Sequence, residues 1–371
     1  MARRKDIYRG KRRHRFPVVP VVTVLIVLLA IAVILFYGLQ KYAVYSKDGV
    51  KLAIPGLTQL PTPAADDGEP SPSGPRPINN VPADIVVDPA DYSAVSLRDG
   101  AGVEPMHGRW YTQKQMRAGA LASLGAATQA QDTLVLEMVD YDGALFWASP
   151  SQTAQAYAVN GQADLGELLA PLRDKGYRLV AAVSCTRQTL LAKRCPAMSL
   201  RNAAGDPYSD ERGAWLDPYS LQAREYLLSL LTELRDAGFD EILLTGLSFP
   251  ANDKAVYYGQ QRLGATTPRA AVSALAVWIG RNAPEGTVLS VWLETDAVRG
   301  TGDEEKESAQ DAELFCRVFD RLYLTTGEYD LPYDAAALAA LAGMEDIGDR
   351  FVPVIYSAPE TGSYLLTDAA Q

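Results

Sequence analysis

The sequence predicts an α/β chain, a (β/α)8 barrel of the TIM type, preceded by one transmembrane helix and a proline-rich linker. Three observations predict it. Residues 16–40 carry no charged side chain, and their centre, VVTVLIVLLAIAVILF, is almost wholly aliphatic. Residues 58–83 are dense in Pro, Gly, Ser and Asp. From about Asp84 onward, short β-rich apolar runs alternate with amphipathic helical segments, the pattern of parallel strands covered by helices. Eight such runs in what remains of the chain suit a barrel, whose typical length is about 250 residues plus insertions. A doubly wound open sheet is the alternative, but the first run is followed by SLRDGAGVEP, which lacks the dinucleotide fingerprint, and no Walker motif occurs.

The elements follow in order. Residues 1–15 hold eight Lys or Arg against one Asp, a basic flank that stays on the cytoplasmic side. The apolar run 16–40 exceeds the roughly 20 residues needed to cross a bilayer, with Pro17 and Pro20 at its entry, where a helix N-terminus tolerates them. A cleavable signal peptide is the competing reading. Its apolar region spans only about 7–15 residues and ends in small residues, whereas here the run is longer and Phe36, Tyr37, Leu39 and Gln40 make a poor cleavage site. The expectation is a single-pass protein of the cell membrane, with its N-terminus cytoplasmic and the rest extracytoplasmic. Residues 41–83 read as stalk and linker: the alternation around Lys47, Asp48 and Gly49 suggests a short hairpin or extended stalk. The proline-rich part cannot bury enough apolar surface to fold.

Within 84–371 the expected strands are 92–97, 132–140, 177–185, 241–249, 287–295, 321–326, 350–357 and 363–368. Between most of them lie expected helices such as TQKQMRAGALASLGAATQ, ADLGELLAPLRDKG, SLQAREYLLSLLTELRDAG and PRAAVSALAVWIGRNA. Two of these end in Lys-Gly or Ala-Gly, as a glycine C-cap demands. The eighth unit has the weakest pattern, with five residues between the last two strands and no closing helix.

Charge narrows the partners. Beyond the basic tail the chain keeps 27 Lys and Arg against 44 Asp and Glu, a net charge of −17. That excludes the basic footprint of a nucleic-acid binder. Cys and His are too scarce for a zinc cluster of the usual kind, and neither a metal nor another cofactor is expected. A Cys185–Cys195 disulfide is one expectation in an oxidising compartment, and two buried free thiols are the other.

In a barrel of this type the reacting groups lie at the C-terminal ends of strands and in the loops beyond. There the sequence offers Glu137, Asp140 and Asp142 after strand two, Glu294 and Asp296 after strand five, Glu328 and Asp330 after strand six, and Tyr356 on strand seven. Glycoside hydrolysis needs two carboxyl groups, one to protonate the leaving oxygen and one to activate water or attack the sugar. Glu137 and Glu294 form the leading pair, with Asp140 as a third candidate. Strands two and five are far enough apart for the roughly 6.5–9.5 Å spacing of inverting enzymes. Asp140, Asp142 and Asp296 read equally well as solvated loop acids. Trp147, with Tyr141 and Phe146, and Trp292 are candidates to stack on a sugar, or else core. TGLSFP does not fit the nucleophile elbow G-x-S-x-G, which argues against a serine hydrolase.

Four stretches carry a family resemblance: LVLEMVDYDG; RDKGYRLVAAVSC leading to RNAAGDPYSDERGAWLDPYSLQAREYLLSLLTEL; DAGFDEILLTGLSFP; and SYLLTD. They resemble the bacterial glycosyl hydrolase domain family with a TIM-barrel fold, over roughly residues 84–371. WLDP (215–218) and GFDEI with the closing FP (238–250) are the most specific. The resemblance implies a polysaccharide or cell-wall glycan as partner and points to Asp217, Thr245 and Ser248, which join Trp147, Trp292 and Tyr356 from the barrel mouth as expected substrate-binding positions. It also exposes departures. The family's strand four ends in Asp, then an aromatic residue and, two places on, Arg, whereas this chain reads Thr245, Gly246, Leu247 and Ser248. Strand two offers Glu137 and Val139 where the family has Asp and Lys, and the family's strand-five acid falls at Trp292. Asp217 is retained, in a motif whose Asp-Pro also opens a helix. These departures imply an impaired hydrolase or a glycan binder, with a non-catalytic envelope scaffold as the alternative.

Overall fold

In the computed structural model of the protein, eight parallel strands close into a barrel. The structure describes residues 43–46, 49–52, 92–100, 102–250, 256–258, 267–300, 308–359 and 361–367. The expected spanning segment 16–40 and the linker 58–83 lie outside these residues. Among the described residues no helix is long and apolar enough to cross a membrane. The chain divides into two units, Met1–Ser73 and Gly74–Gln371. In the first, Ala43–Ser46 pairs antiparallel with Gly49–Leu52, Ser46 opposite Gly49, the hairpin that the alternation suggested.

In the second unit the barrel strands are β1 (His107–Tyr111), β2 (Thr133–Val139), β3 (Arg178–Ser184), β4 (Glu241–Thr245), β5 (Val288–Leu293), β6 (Arg321–Thr325), β7 (Phe351–Ile355) and β8 (Tyr364–Leu366). Each pairs in parallel with its neighbours, and β8 returns to β1 with Leu365 opposite Gly108. Around the strands lie α1 (Gln113–Arg117), α2 (Gln152–Ala156), α3 (Leu165–Asp174), α4 (Thr189–Arg194), α5 (Leu221–Ala237), α6 (Pro268–Asn282), α7 (Thr295–Arg299), α8 (Ala312–Val318) and α9 (Leu331–Ala342).

The first strand differs from the expectation. Segment 92–97 is not in the barrel: Tyr92 and Val95 rest against the outer core, and the backbone N–H groups of Leu97 and Arg98 donate to the Arg317 carbonyl at the end of α8. Arg98 fixes this strap through Asp320 at 2.6 Å and the Thr287 carbonyl at 3.0 Å. Its place is taken by HGRWY. A Cβ at Gly108 would lie 2.6 Å from the Met106 methyl and 3.1 Å from Leu365, so a larger residue there requires the flexible end of Met106 to move aside. The glycine suits this close seam and also makes the segment look unlike a strand.

Strand periodicity sorts the side chains. Val135, Val180, Ala182, Leu243, Tyr323, Val352, Val354 and Leu365 gather with Met106 and Trp110 in one cluster inside the barrel. Residues one step out of phase, such as Leu134, Leu136, Leu179, Ile242, Leu244 and Leu322, join the larger core beneath the helices. Below the inner cluster, Glu241 binds Arg178 at 3.1 Å, Ser290 Oγ at 2.7 Å and Tyr323 Oη at 2.6 Å, with Arg321 at 3.6 Å. Two residues further along the same inner rows, Leu243 leads to Thr245 and Val135 leads to Glu137. The functional end is thus set by register, since a one-residue slip would turn each of these groups outward.

Candidate active site

A cavity of about 510 Å³ opens at the C-terminal ends of the strands. Glu137 of β2, Thr245 of β4, Trp292 of β5 and Glu294 just beyond it all line it, with Ser248 and Tyr356. Six of the residues singled out in the sequence therefore meet in one place.

Glu137 is held by the start of α1. Thr112 caps that helix in a reciprocal capping box with Gln115, and the N–H of Gln113, one of the first-turn donors that a helix cannot use internally, bonds Glu137 Oε2 at 2.9 Å. Burial raises the Glu137 carboxyl above its ordinary value; the Gln113 bond opposes the shift, the Asp140 charge adds to it, and Arg117 opposes it. Glu294 is held through its backbone. Its N–H donates to Gln310 Oε1 at 2.8 Å, and the Gln310 amide donates to the carbonyls of Leu247 and Trp292 at 3.0 and 3.1 Å, tying the ends of β4 and β5 together. Burial raises Glu294 too, helped by Asp296 and opposed by Arg212 and Arg187.

Tyr141 lines the same cavity, near enough to both acids to feel their charge. Although 38% of its surface is open at the rim, it has Thr245, only 4% exposed, near its hydroxyl. Burial and the nearby Glu294 push the phenol up to about 12, so it stays protonated as a donor. Trp110 packs edge-on to Trp292 with ring centroids 5.6 Å apart, giving the cavity an aromatic wall.

Three expected site residues lie elsewhere. Asp140 Oδ1 accepts the N–H groups of Asp142 and Ala144 at 3.0 and 2.9 Å, so this acid organises its own turn outside the cavity lining. Trp147 is a core residue, 2% exposed, whose indole N–H donates to Glu233 at 2.9 Å. Asp217 is buried, and its Oδ1 accepts the Tyr219 N–H at 2.9 Å at the turn into α5. Asp296 is likewise spent on Ser308, through its N–H and hydroxyl, both at 2.9 Å. Cys185 and Cys195 are free and buried, the first bonding back to the Val183 carbonyl.

Sequence reasoning missed Trp110, Arg187, Arg212 and Trp215, all in the cavity lining. Trp110 became visible only once β1 was placed. Arg187 lies three residues beyond β3, where the rule that led to Glu137 and Glu294 would have found it. Among the described residues no group of three or more His, Cys, Asp or Glu could hold a metal ion.

A family model described as "Putative glycosyl hydrolase domain" matches residues 109–297. No curated protein matches the chain. Among solved structures, a hypothetical protein from Ruminiclostridium thermocellum is 19% identical with a TM-score of 0.42, over 49% of this chain and 95% of that one. The spore cortex-lytic enzyme SleL of Bacillus cereus is 10% identical with a TM-score of 0.37, over 68% of this chain and 51% of that one, so the chain spans about half its length. A chitinase from Chromobacterium violaceum is 11% identical with a TM-score of 0.38, over 68% of each chain.

Proposed function

This chain belongs to the family described as "Putative glycosyl hydrolase domain", and from that premise we propose that its barrel cleaves a cell-envelope polysaccharide with Glu137 and Glu294. The observation that carries the reading is the pair itself: two carboxyl groups, both raised by burial, in one aromatic-walled cavity at the end of the barrel where such chemistry sits.

The surroundings divide the labour. Glu294 faces two guanidinium groups, Arg212 and Arg187, which favour its ionised form. Glu137 has the like charge of Asp140 ahead of the weaker influence of Arg117, while the Gln113 N–H on one of its oxygens works the other way. Both acids have a like-charged neighbour, Asp140 for Glu137 and Asp296 for Glu294, but Glu294 has two guanidinium groups near it and Glu137 one. We therefore assign Glu137 as the proton donor to the leaving oxygen and Glu294 as the carboxylate that activates water or attacks the sugar. Trp110, Trp292 and Tyr356 supply ring faces for the sugar.

A second reading rests on Thr245. The family resemblance puts an acid at the end of strand four, and Thr245 occupies that place in the lining. A barrel that kept its cleft and lost its chemistry would bind glycan without cleaving it. Purified protein, incubated with a panel of bacterial envelope polysaccharides beside Glu137→Gln and Glu294→Gln, decides between the two. Sugar release that either substitution lowers by about 10²–10⁴-fold supports the acid pair. Retained binding with no release supports the second reading, and Thr245→Asp should then restore turnover.

The reading includes a membrane anchor. The charge-free run 16–40 behind a basic tail supports a single-pass protein with the barrel outside the cytoplasm. Protease digestion of intact cells tests this: the barrel should be cut while the basic tail is protected.

A further inference from the structure

We propose that the cavity selects glycans bearing an anionic substituent, a carboxylate or a phosphate, and that Arg187 and Arg212 recognise it. The proposal rests on the carbohydrate reading of the cavity and goes beyond it by naming the chemical class of the glycan.

The two arginines come from different segments, Arg187 after β3 and Arg212 from the loop before α5, and converge on one cavity. Both are held in place by stacking and backbone bonds, and the contacts of Arg187 leave its charge unpaired. The Arg187 guanidinium stacks on the Tyr141 ring at 4.2 Å, and its Nε donates to the Arg212 carbonyl at 2.7 Å. No carboxylate lies within ion-pair distance of it among the described residues. Arg212 stacks on Trp215 at 4.9 Å and donates from Nη2 to the Phe249 carbonyl at 3.1 Å; its acid neighbour is Asp210, at 3.7 Å. Among the described residues neither guanidinium forms an ion pair with Glu294, so each acts on that acid only across the cavity and keeps N–H groups for another partner.

Other partly buried arginines of the barrel show what a structural role looks like. Arg98 meets Asp320 at 2.6 Å, Arg178 meets Glu241 at 3.1 Å and Arg299 meets Asp334 at 2.6 Å. Arg187 has no such partner, yet stacking and one backbone bond hold its plane fixed. A planar fork held ready with unused N–H groups matches a carboxylate or phosphate in two-point geometry. A neutral sugar needs ring stacking and hydroxyl partners, which the tryptophans and acids already provide. The positive pair also sits in a chain of net charge −10, whose overall field does nothing to attract an anion. Selection must come from these local groups.

Calorimetric titration of the full chain in detergent tests the assignment with matched pairs. Glucuronate-containing oligosaccharides are compared with their carboxyl-reduced forms, and N-acetylglucosamine oligomers carrying a 6-phosphate with the unmodified oligomers. The anionic member of at least one pair should bind about tenfold or more tightly, the worth of one charge-assisted bond. The preferred pair tells carboxylate from phosphate. Arg187→Gln should shrink the gap by a similar factor, and Arg187→Lys, which keeps the charge and loses the fork, should shrink it less. Equal or tighter binding of the neutral members overturns the proposal while leaving the carbohydrate reading intact. Binding of no member at all overturns both. A preference that survives in both Arg187→Gln and Arg212→Gln overturns the assignment to these residues. The wild-type comparison stands whatever the stability of the variants.

Discussion

A carboxyl group taken out of water holds its proton longer, and two such groups with different neighbours can play opposite parts. For Glu137 and Glu294 the ordinary value is 4.5, and both lie above it. The rate of glycan hydrolysis should follow a bell in pH with both limbs above 4.5: the acid limb from protonation of Glu294, the alkaline limb from loss of the Glu137 proton. A pH–rate profile checks it, and an acid limb at or below the ordinary glutamate value would rule out Glu294 as the ionised partner. The same shifts have a stability consequence. A group whose folded value is raised favours the folded state fully below its unfolded value, and that contribution is lost as pH rises through the folded value. Glu137→Gln or Glu294→Gln should therefore raise the melting temperature at neutral pH and leave it unchanged below pH 4.5, with glutamine still able to accept from Gln113 in the first variant. Thermal scans at the two pH values measure the difference. At this scale the sequence was legible where position alone decides. The end-of-strand rule reaches Glu137, Glu294 and Tyr356, the family resemblance reaches Thr245, and the search for a stacking ring reaches Trp292. The first fails for Asp140 and the last for Trp147; both occupy the right stretch of chain but spend their polar atoms on a local turn and on Glu233, bonds that no spacing reveals.

Between α5 and β4 the segment GFDEI shows how a short motif builds an element. Gly238 ends the helix at φ 94°, a left-handed conformation that costs other residues about 1–2 kcal/mol, and a Cβ there would run into the Arg173 guanidinium. Phe239 enters the outer core. Asp240 accepts the Leu179 N–H at 2.8 Å, which sets the register of β3 against β4, and Glu241 then points into the barrel floor. Gly238→Ala should cost at least about 1–2 kcal/mol from the backbone alone. Glu241→Ala should cost about 3–5 kcal/mol, because it strands Arg321 and Arg178 without their shared carboxylate in a site where Glu241 and Arg321 are fully buried. Urea titrations with unchanged slope would confirm both as losses of native stability, and a cost under about 1 kcal/mol for Glu241→Ala would mean that water solvates the barrel floor. The motif was readable as a signature, yet its work in fixing register was not, because the partners Leu179, Ser290, Arg321 and Tyr323 come from three other strands. The first strand failed for a related reason. YSAVSL has the composition of a strand and HGRWY does not, but Gly108 and Trp110 fit the seam beside Leu365, a tertiary demand that overrides local preference.

Across the whole molecule the barrel depends on one short closure. β8 has three residues and no helix precedes it, yet it joins β7 through Val354 and Leu365 and joins β1 through Leu365 and Gly108. Met106 N–H donates to Ser363 Oγ at 3.1 Å across 257 residues of sequence. Seven of the eight predicted runs are barrel strands and made the fold class legible, while the misplaced first run and the weak eighth run left its closure open. In three dimensions, closure is decided by pairing both edges of a sheet that would otherwise expose unpaired N–H and carbonyl groups. Leu365 is fully buried in the inner cluster, so Leu365→Asp puts an unpaired charge inside the barrel, where it must perturb whatever the closure holds together. If the barrel is one cooperative unit, the damage travels to the far end of the chain. Hydrogen exchange should then show lost protection in β1, at His107–Tyr111, as well as in β8. Loss confined to β8 would mean that the remaining seven strands hold as an open sheet, and that the cavity at their ends does not need the ring to be closed.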